Sequence, residues 1–589
     1  MHNYLPIILF LSISPLTHDQ INLLNMVTLT VVTLLLIIIQ KKFYKFRAAI
    51  FCIIISMLLP ASYLISAIVN RQTWSSSLFG GYQRNYGLIT ITMLSMVFMI
   101  FSIAKFDSKK YINIGLLSTL ILANLYGFLQ VFDLDPLPWT NPFDAVSLTL
   151  GNPNFSGALF GMLSVVVFAK IITSKRVSYK LAYLVLLSST IFLGFQTKSL
   201  QSQLLLVSSI LVFLFIYSLG EVSRLFKLIR YLSLILFSIG AVGLISIFGF
   251  SGFSQLKDRI FFQGSIPQRL DYWQNGINIW QDNLLFGVGA DQFQRYAALY
   301  RTPEQIVRDG NMVIPDKSHN VLIDHLANGG VIAGLIWLTF VIAIYFVLFK
   351  VVKGGHKNRI EISILAGIWS AYVIQSLISP DQILLSVIGY SSAGLIVGSY
   401  LIKQGAVSAS NLLEKENPYI IKASAGLVLL MSLVIFGQAL TANADARDML
   451  DGKLVGTQSF LDVLDAWPNP KVNELIGVEL VKDPNNCQLT NDVADRLIKI
   501  DDRSSQGWFM KVVCANANRE FTKAIEYVDN SLKFDPLNPF YLISKAKLEI
   551  ATNQLDNAAK SVAKVKSIMP SEPDIALLES SIATLKKQE

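Results

Sequence analysis

The chain has 589 residues, of which 53% are hydrophobic and 15% are charged, and its formal net charge is +9. Soluble proteins are nearer 25% charged, so this composition excludes an ordinary soluble domain and indicates a membrane protein. The basic excess lies in short loops between apolar segments. Membrane orientation and anionic lipid headgroups account for it there, so the net charge does not indicate nucleic-acid binding.

Apolar segments long enough to cross about 30 Å of hydrocarbon recur along the chain and predict an all-α, polytopic membrane helix bundle of 12 or 13 spans. They lie near residues 21–39, 48–69, 86–104, 111–131, 154–173, 181–195, 202–219, 231–250, 321–349, 360–378, 383–402 and 420–440. A shorter run at 4–16 is the additional candidate. We expect no cleaved signal peptide, because Met1–Tyr4 lacks basic residues and no small-residue cleavage site follows.

Every second gap between these segments is rich in Lys and Arg. The six basic clusters are Lys41/Lys42/Lys45/Arg47, Lys105/Lys109/Lys110, Lys175/Arg176/Lys180, Arg224/Lys227/Arg230, Lys350/Lys353/Lys357/Arg359 and Lys403/Lys415/Lys422. Short loops of this kind remain in the cytoplasm. The alternation therefore predicts that the intervening loops and the whole C-terminal tail are extracytoplasmic.

Four blocks are expected along the chain. They are membrane helices over 1–250, a long extracytoplasmic loop over 251–320, membrane helices over 321–440 and a polar tail over 441–589. Within the long loop, one apolar stripe at helical spacing is formed by Leu270, Trp273, Ile277 and Trp280. The stripe predicts a helix. Such a helix either lies on the bilayer surface or packs against other helices of the loop, and the sequence leaves both open.

The tail has an internal period. Pro468, Asp502, Pro536 and Pro570 are each separated by 34 residues, and residues 503–570 resemble tetratricopeptide repeats, which are helical hairpins of that length. Such a tail is either a platform for a protein partner or a glycan, or a helical cap over the membrane domain. It also holds Cys487 and Cys514, which either pair as a disulfide or remain free thiols.

Few basic residues fall in the loops predicted to be extracytoplasmic. Outside the long loop they are Arg71, Arg84 and Lys198, and the long loop itself carries seven basic and seven acidic residues. Arg84 is flanked by Gly80-Gly81 and Gly87, which allow tight folding near a ligand. An arginine near the membrane is costly unless it is paired or functional. The alternatives are a snorkelling role for Arg84 and, for Arg269, an ion pair with Asp271 or another acid of the loop.

One histidine, His319, stands in these loops after residue 20, directly before a predicted span. An ordinary pKa near 6.5 lets a histidine exchange a proton at neutral pH, although a lone histidine is more often structural. His325, inside the following helix, is expected to be structural. In Gly151-Asn152-Pro153-Asn154 we favour a helix-start turn capped by Asn154 over a ligand contact. The sequence contains no phosphate-binding Gly-rich loop, zinc-ligand spacing or nucleophile elbow.

Five segments over residues 70–350 resemble, in order, the superfamily of O-antigen ligases and O-antigen polymerases. They are Leu78–Gly87, Gly151–Asn154, Gln268–Trp273, Leu285–Gly289 with Phe293, and Ser318–Asn320 followed by Asn328–Gly334. A tetratricopeptide tail also occurs in some members. One difference concerns the Ser-Arg pair common in the family, because the corresponding stretch here is Thr197-Lys198-Ser199. Lysine acts on a phosphate as a point charge, without the fork of arginine.

The resemblance implies a GT-C-like glycosyltransferase in the bacterial cytoplasmic (inner) membrane. Its donor would be a glycan on undecaprenyl diphosphate, and its acceptor a hydroxyl of a glycan, a lipid or a protein. It further implies an inverting displacement without a metal or a cofactor, in contact with membrane lipids. The resemblance does not distinguish a ligase from a polymerase.

Roles for single residues follow from the same resemblance. Arg84 and Arg269 would stabilise the diphosphate through charge-assisted hydrogen bonds, and His319 would take the proton of the acceptor hydroxyl. Substrate binding is expected at Lys198, Arg301, Asn320 and Asn154. Two alternatives remain: a transporter or flippase of lipid-linked sugars, which would need charged or broken-helix features at mid-bilayer, and a noncatalytic scaffold that presents the tail.

Overall fold

The structure is a computed structural model of the chain. It describes residues 2–12, 21–39, 46–82, 84–103, 107–137, 144–219, 223–235, 265–311, 313–354, 358–403, 418–453, 457–466 and 469–588. Within these ranges the regular secondary structure is helical and no strand occurs. Ten helices are long and apolar enough to cross a membrane. The prediction of an all-α, polytopic membrane helix bundle is therefore confirmed.

The helices of the membrane part and its loops are numbered in chain order. They are α1 (Leu5–Phe10), α2 (Ile21–Ile39), α3 (Phe46–Val69), α4 (Trp74–Phe79), α5 (Leu88–Ile103), α6 (Ser108–Val131), α7 (Pro153–Thr173), α8 (Val177–Gln196), α9 (Leu200–Ser218), α10 (Ser265–Asp282), α11 (Phe293–Ala297), α12 (Pro303–Asp309), α13 (Val321–Lys353), α14 (Arg359–Ile378), α15 (Ile383–Lys403) and α16 (Pro418–Leu450). In lipid, a helix satisfies every backbone hydrogen bond within its own segment, which is why these apolar runs adopt it.

Ten of the predicted spans are present as long apolar helices. The other candidates differ. The span expected at 86–104 is the helix α5 of 16 residues. In the described residues 4–12 of the run at 4–16, the α-helix is the six-residue α1. Residues 236–250 of the span expected at 231–250 lie outside the described part of the chain.

Small residues bring the central helices close together. A Cβ atom at Gly161 of α7 would stand 2.5 Å from the carbonyl oxygen of Ser202 in α9, and one at Gly367 of α14 would stand 2.6 Å from that of Ser209. Membrane helices associate through such close backbone contacts, because lipid tails remove the hydrophobic drive between them. The fully buried indole of Trp369 in α14 packs against Phe340 and Tyr345 of α13.

Helix α13 is broken at Gly330, whose φ of 70° is not helical. The freed carbonyl groups accept hydrogen bonds from the long loop: Val288 N donates to Ala327 O at 2.9 Å, and Gly289 N donates to Asn328 O at 2.7 Å. In return, Val331 N donates to Leu284 O at 2.8 Å. The break thus fixes the loop segment 284–289 against the beginning of α13.

The C-terminal part consists of further helices. They are α17 (Thr457–Ala466), α18 (Pro470–Leu480), α19 (Cys487–Ile500), α20 (Ser505–Ala517), α21 (Phe521–Phe534), α22 (Pro539–Ala551), α23 (Leu555–Ile568) and α24 (Asp574–Lys586). Helix α16 runs from the bundle to Leu450, past the expected start of the tail at residue 441. Corresponding helices α20 and α22 begin 34 residues apart, at 505 and 539. That spacing agrees with the period in the sequence, and the assignment to tetratricopeptide repeats remains a prediction.

The tail packs directly on the long loop. Ile306 of α12 is buried in the apolar cluster that includes Leu542 and Leu555. Arg295 pairs with Asp501 and Asp502 of the tail. The loop is therefore held between the membrane bundle and the tail helices.

Candidate functional site

Two segments from distant parts of the chain meet at one end of the bundle, which we call the loop end. The first is the Arg84 loop, residues 80–87, and the second is the His319 turn, residues 316–320. They touch where Arg84 Nε donates to Asp316 Oδ2 at 2.5 Å. The same end carries residues 144–152 and 379–382, because Arg84 lies against Phe155 and Asn320 Nδ2 donates to the carbonyl oxygen of Leu377 at 3.0 Å.

Glycines shape the Arg84 loop. Gly80 has a φ of +78°, in the region that favours glycine, and a Cβ atom at Gly87 would overlap the backbone nitrogen of Gly80. The loop therefore closes on itself and directs Arg84 toward the His319 turn. The guanidinium carbon of Arg84 lies 5.7 Å from the centre of the Phe155 ring.

The ion pair between Arg84 and Asp316 is partly shielded from solvent, since the two side chains are 18% and 33% exposed. Burial opposes the charge on Arg84, but the neighbouring carboxylate of Asp316 outweighs it and raises the pKa of the guanidinium. For Asp316, burial likewise opposes ionisation, and Arg84 overcomes it to lower the pKa of the carboxyl to about 2. Both groups are thus charged at neutral pH.

The His319 turn holds its histidine in an unusual backbone conformation, with a φ of 60°. Ser318 N donates to Asp324 Oδ1 at 2.8 Å, and the carbonyl oxygen of His319 accepts from Trp273 Nε1 at 3.4 Å. The ring of Tyr272 lies 5.4 Å from the imidazole, centre to centre. Trp273 and Tyr272 of α10 therefore fix the backbone and the ring position of His319.

His319 is half-buried, and its imidazole is neutral at pH 7. Its Nδ1 atom has no hydrogen-bond partner among the described residues. Burial lowers the pKa of His319 to about 4; the carboxylate of Asp316 acts against this shift, and Arg84 and Arg269 add to it. These opposed influences also show that the two arginines and the acid lie close enough to His319 to affect its charge.

Arg269 of α10 is the second arginine at the site. Burial lowers the pKa of its guanidinium, and no carboxylate of the described residues forms an ion pair with it. Asp271, its expected partner, pairs instead with Arg308 at 2.5 Å. The alternative of an ion pair with Asp271 is therefore wrong, and no residue of the described part of the chain accepts a hydrogen bond from the Arg269 guanidinium.

The amphipathic stripe of α10 is only half-buried. Trp273, Ile277 and Trp280 remain partly exposed, whereas Gly276 and Ile279 are buried. Gly276 approaches Ser318 and Phe293. Helix α10 thus contacts the site through Gly276 and Tyr272 together with Trp273 of the stripe, and placement of the stripe on a bilayer surface stays a prediction.

Asn154 lies in the first turn of α7, and Lys198 lies in the turn before α9. Asn154 Oδ1 accepts from Ser199 Oγ at 2.8 Å, next to Phe155, which lies under Arg84. The cap of α7 is Asn152, whose side chain accepts from Asn154 N, so the expectation that Asn154 is the cap is wrong. Lys198 pairs with Asp144 at 2.9 Å, and both side chains are well exposed.

Two other predicted substrate-binding residues have contacts within the protein. Asn320 caps α13 by accepting from Leu322 N and Ile323 N. Arg301 donates through Nη2 to Asp535 Oδ1 at 2.6 Å and through Nη1 to backbone carbonyls of the loop. Both side chains of the Arg301–Asp535 pair are buried, since they are only 2% and 1% exposed. Arg301 therefore joins the loop to the tail.

Sequence reasoning missed Asp316 and Tyr272 as parts of the site. Asp316 was one of seven loop acids, and its position three residues before His319 was the available signal.

His325 is structural as expected, since its Nδ1 lies 2.7 Å from the hydroxyl of Tyr63. Cys487 and Cys514 are free thiols, and the thiol of Cys514 donates to the carbonyl oxygen of Cys487 at 3.7 Å. Within the described ranges, no three His, Cys, Asp or Glu side chains form a metal-ligand group.

The fold and the site define a multi-pass membrane protein with a half-buried histidine and two arginines at one end of its bundle. Residues 182–338 match the family model described as O-antigen ligase. The match includes Arg269, His319 and Lys198 but not Arg84, and it supports membrane glycan transfer in general. No curated protein matches the chain.

Proposed function

We propose that this protein transfers a glycan from an undecaprenyl-diphosphate donor to an acceptor hydroxyl at the outer face of the bacterial cytoplasmic membrane. The observation that carries the proposal is the convergence of Arg84, Arg269 and Asp316 around the half-buried imidazole of His319. The match of residues 182–338 to the O-antigen ligase family supports the reaction class. The outer location follows from the basic loops at the opposite end of the bundle.

Arg84 and Arg269 are proposed to bind the diphosphate. Guanidinium groups bind phosphate oxygens in pairs of charge-assisted hydrogen bonds, and these are stronger in a site that excludes water. Arg269 has no carboxylate partner among the described residues, so its guanidinium can bind the diphosphate without breaking an ion pair. Arg84 is held by Asp316, and a diphosphate would compete with that carboxylate for the guanidinium.

His319 is proposed as the general base. The acceptor oxygen attacks the anomeric carbon as the bond to the diphosphate oxygen breaks, and the hydroxyl proton passes to the neutral imidazole. A base with a pKa near 4 is weak in the free protein. The added negative charge of the diphosphate, together with Asp316 once it leaves Arg84, favours the imidazolium and raises the pKa of His319 toward the working range.

The direct displacement has a stereochemical consequence. Because the acceptor oxygen enters opposite the departing diphosphate, the anomeric centre is inverted. The lipid diphosphate leaves with the pair of electrons of the broken bond, and the arginines stabilise its charge. Lys198 and Asn154 lie on the adjoining surface beside Phe155 and are proposed to contact the glycan or its carrier. Asn320 contributes by fixing the start of α13, and Arg301 by fixing the loop on the tail.

A transporter of lipid-linked sugars is the second candidate, and the break of α13 at Gly330 is the feature that favours it. Broken helices in transporters present free carbonyl groups to a substrate. Here the carbonyl groups of Ala327 and Asn328 already accept hydrogen bonds from the long loop. This occupation favours a structural role for the break, and with it the transferase.

The test uses purified full-length protein in lipid nanodiscs with a lipid-diphosphate-linked glycan and candidate acceptors, followed by mass analysis of the products. We expect His319→Ala and Arg84→Ala to lose transfer while abundance and membrane insertion are unchanged. Arg496→Ala, which removes an exposed arginine of the tail, is the matched control and should remain active. Full transfer by both site variants would exclude the proposed roles.

A further inference from the structure

We propose that Asp291 and Lys317 are positioning residues that fasten the Arg84 loop to the His319 turn and so set the geometry for glycan transfer. The inference rests on the proposed function of that site. Neither side chain is assigned to contact the substrate. Each acts by positioning a residue that is proposed to contact the substrate, namely Arg84 or His319.

Asp291 holds the Arg84 loop from both sides of the arginine. Its Oδ2 atom accepts from Gly81 N at 2.7 Å and from Tyr86 N at 3.1 Å. The side chain is only 2% exposed, and a Cβ atom at Gly80 would stand 2.5 Å from the same oxygen. The carboxylate therefore lies directly against the loop, and the glycine is what permits that approach.

Lys317 connects this carboxylate to the His319 turn. Its ammonium group forms an ion pair with Asp291 Oδ1, and its side chain is 8% exposed. Lys317 also lies 5.7 Å from the centre of the Tyr86 ring, on the Arg84 loop. Burial opposes the charge on Lys317, but Asp291 and Asp324 outweigh it and raise the pKa of the ammonium group. Lys317 is two residues from His319, so its position constrains the turn.

The location of the Asp291–Lys317 ion pair indicates that it positions the site residues more than it stabilises the fold. A buried ion pair costs desolvation of both charges and is weak evidence for a stabilising role. The pair of Asp291 and Lys317 connects the Arg84 loop to the His319 turn, which are far apart in sequence. The first carries the arginine proposed to bind the diphosphate, and the second carries the proposed base. The ion pair between Arg84 and Asp316 cannot serve alone, because the diphosphate competes for Arg84. The pair of Asp291 and Lys317 remains intact when that contact opens.

Opening this connection should alter binding and acid–base behaviour together. Arg84 would no longer be aimed at the donor, so the KM for the donor rises. Water would reach His319, whose pKa of about 4 then returns toward its ordinary value near 6.5. The charged and titratable groups that face His319 are Asp316 of its own turn, Arg84 of the Arg84 loop, and Arg269 and Tyr272 of α10.

The test compares Lys317→Met and Asp291→Asn with the natural protein in nanodiscs. Lys317→Met keeps the two backbone hydrogen bonds that Asp291 accepts. Misplacement of about 1 Å at a site can cost about 10²-fold in rate, and we expect kcat/KM for the donor to fall by about that factor. The acidic limb of the pH–rate profile should also move to higher pH, by up to about two pH units.

The matched control is Asp574→Asn, which breaks an exposed ion pair with Lys547 in the tail and should change neither parameter. A purely structural role would reduce the amount of active protein without moving the donor KM or the acidic limb. Unchanged values of both in the two site variants would overturn the proposal.

A second measurement needs no variant. In the natural protein, the backbone N–H groups of Gly81 and Tyr86 should exchange slowly with deuterated water, because both donate to a buried carboxylate. Rapid exchange at both positions would overturn the proposal. Its failure is also distinguishable from failure of the proposed function: loss of transfer in Arg84→Ala and His319→Ala combined with normal Lys317→Met kinetics removes only the positioning role.

Discussion

Replacement of Asp316 by asparagine separates the two proposed tasks of that residue. In the free protein Asp316 holds Arg84, and during reaction it stabilises the imidazolium of His319. Asp316→Asn should therefore release Arg84 for the diphosphate and lower the KM for the donor. It should also lower kcat, because the charge that favours proton uptake by His319 is gone.

The two magnitudes follow from exposure and charge. The Arg84–Asp316 pair is 18% and 33% exposed, so solvent screening limits its worth to about 1 kcal/mol, or about a fivefold fall in KM. A hydrogen bond or contact to a charged group contributes about 1.5–3 kcal/mol. Since each 1.36 kcal/mol is tenfold in rate, kcat should fall by about 10- to 150-fold.

The assay is steady-state kinetics of purified protein with a lipid-linked glycan donor varied at saturating acceptor. Asp574→Asn, far from the site in the tail, is the matched control for the loss of one carboxylate. A donor KM that is unchanged or higher in Asp316→Asn, together with a normal kcat, would refute the competition between Asp316 and the diphosphate.

Three further predictions follow from single residues. In the free protein His319 is neutral above its pKa of about 4, so kcat/KM should fall only below about pH 4, and a limb near pH 6.5 would contradict the burial of His319. Lys198→Ala removes an exposed charge, and transfer should fall less than tenfold, whereas a loss as large as that of Arg84→Ala would show a direct catalytic role. Asp535→Ala leaves Arg301 buried without its carboxylate, which should cost about 3–5 kcal/mol and expose the tail to limited proteolysis. Unchanged proteolysis would refute the docking of the tail through this pair.

The tail has a mechanical connection to the site. Arg308 of α12 pairs with Asp271 of α10, which is two residues from Arg269 and adjacent to Tyr272. Helix α12 in turn packs into the tail through Ile306. Displacement of the tail would therefore reach Arg269 and His319 through two short helices. This arrangement accords with the expected cap over the membrane domain, while a role as a partner-binding platform remains a prediction.

The sequence determined the architecture of the bundle because each membrane helix is a local structure. Its length, its apolarity and the charge of its flanking loops are all properties of contiguous residues. The same logic singled out Arg84 and His319 as candidates, whereas the roles predicted for them and for Arg269 came from the family resemblance. Arg84 and His319 stood out because a basic or titratable side chain in a sparse loop has few other uses.

Only the tertiary structure decided which of these residues meet and with what partners. Arg269 and Arg301 look alike in sequence, yet burial leaves the first without a carboxylate partner among the described residues and places the second against Asp535. Asp316, Asp291 and Lys317 gained their roles in the same way. Ion pairs between residues hundreds of positions apart depend on how the loops fold over the bundle. The local pattern of charge in the sequence therefore does not show which residues pair.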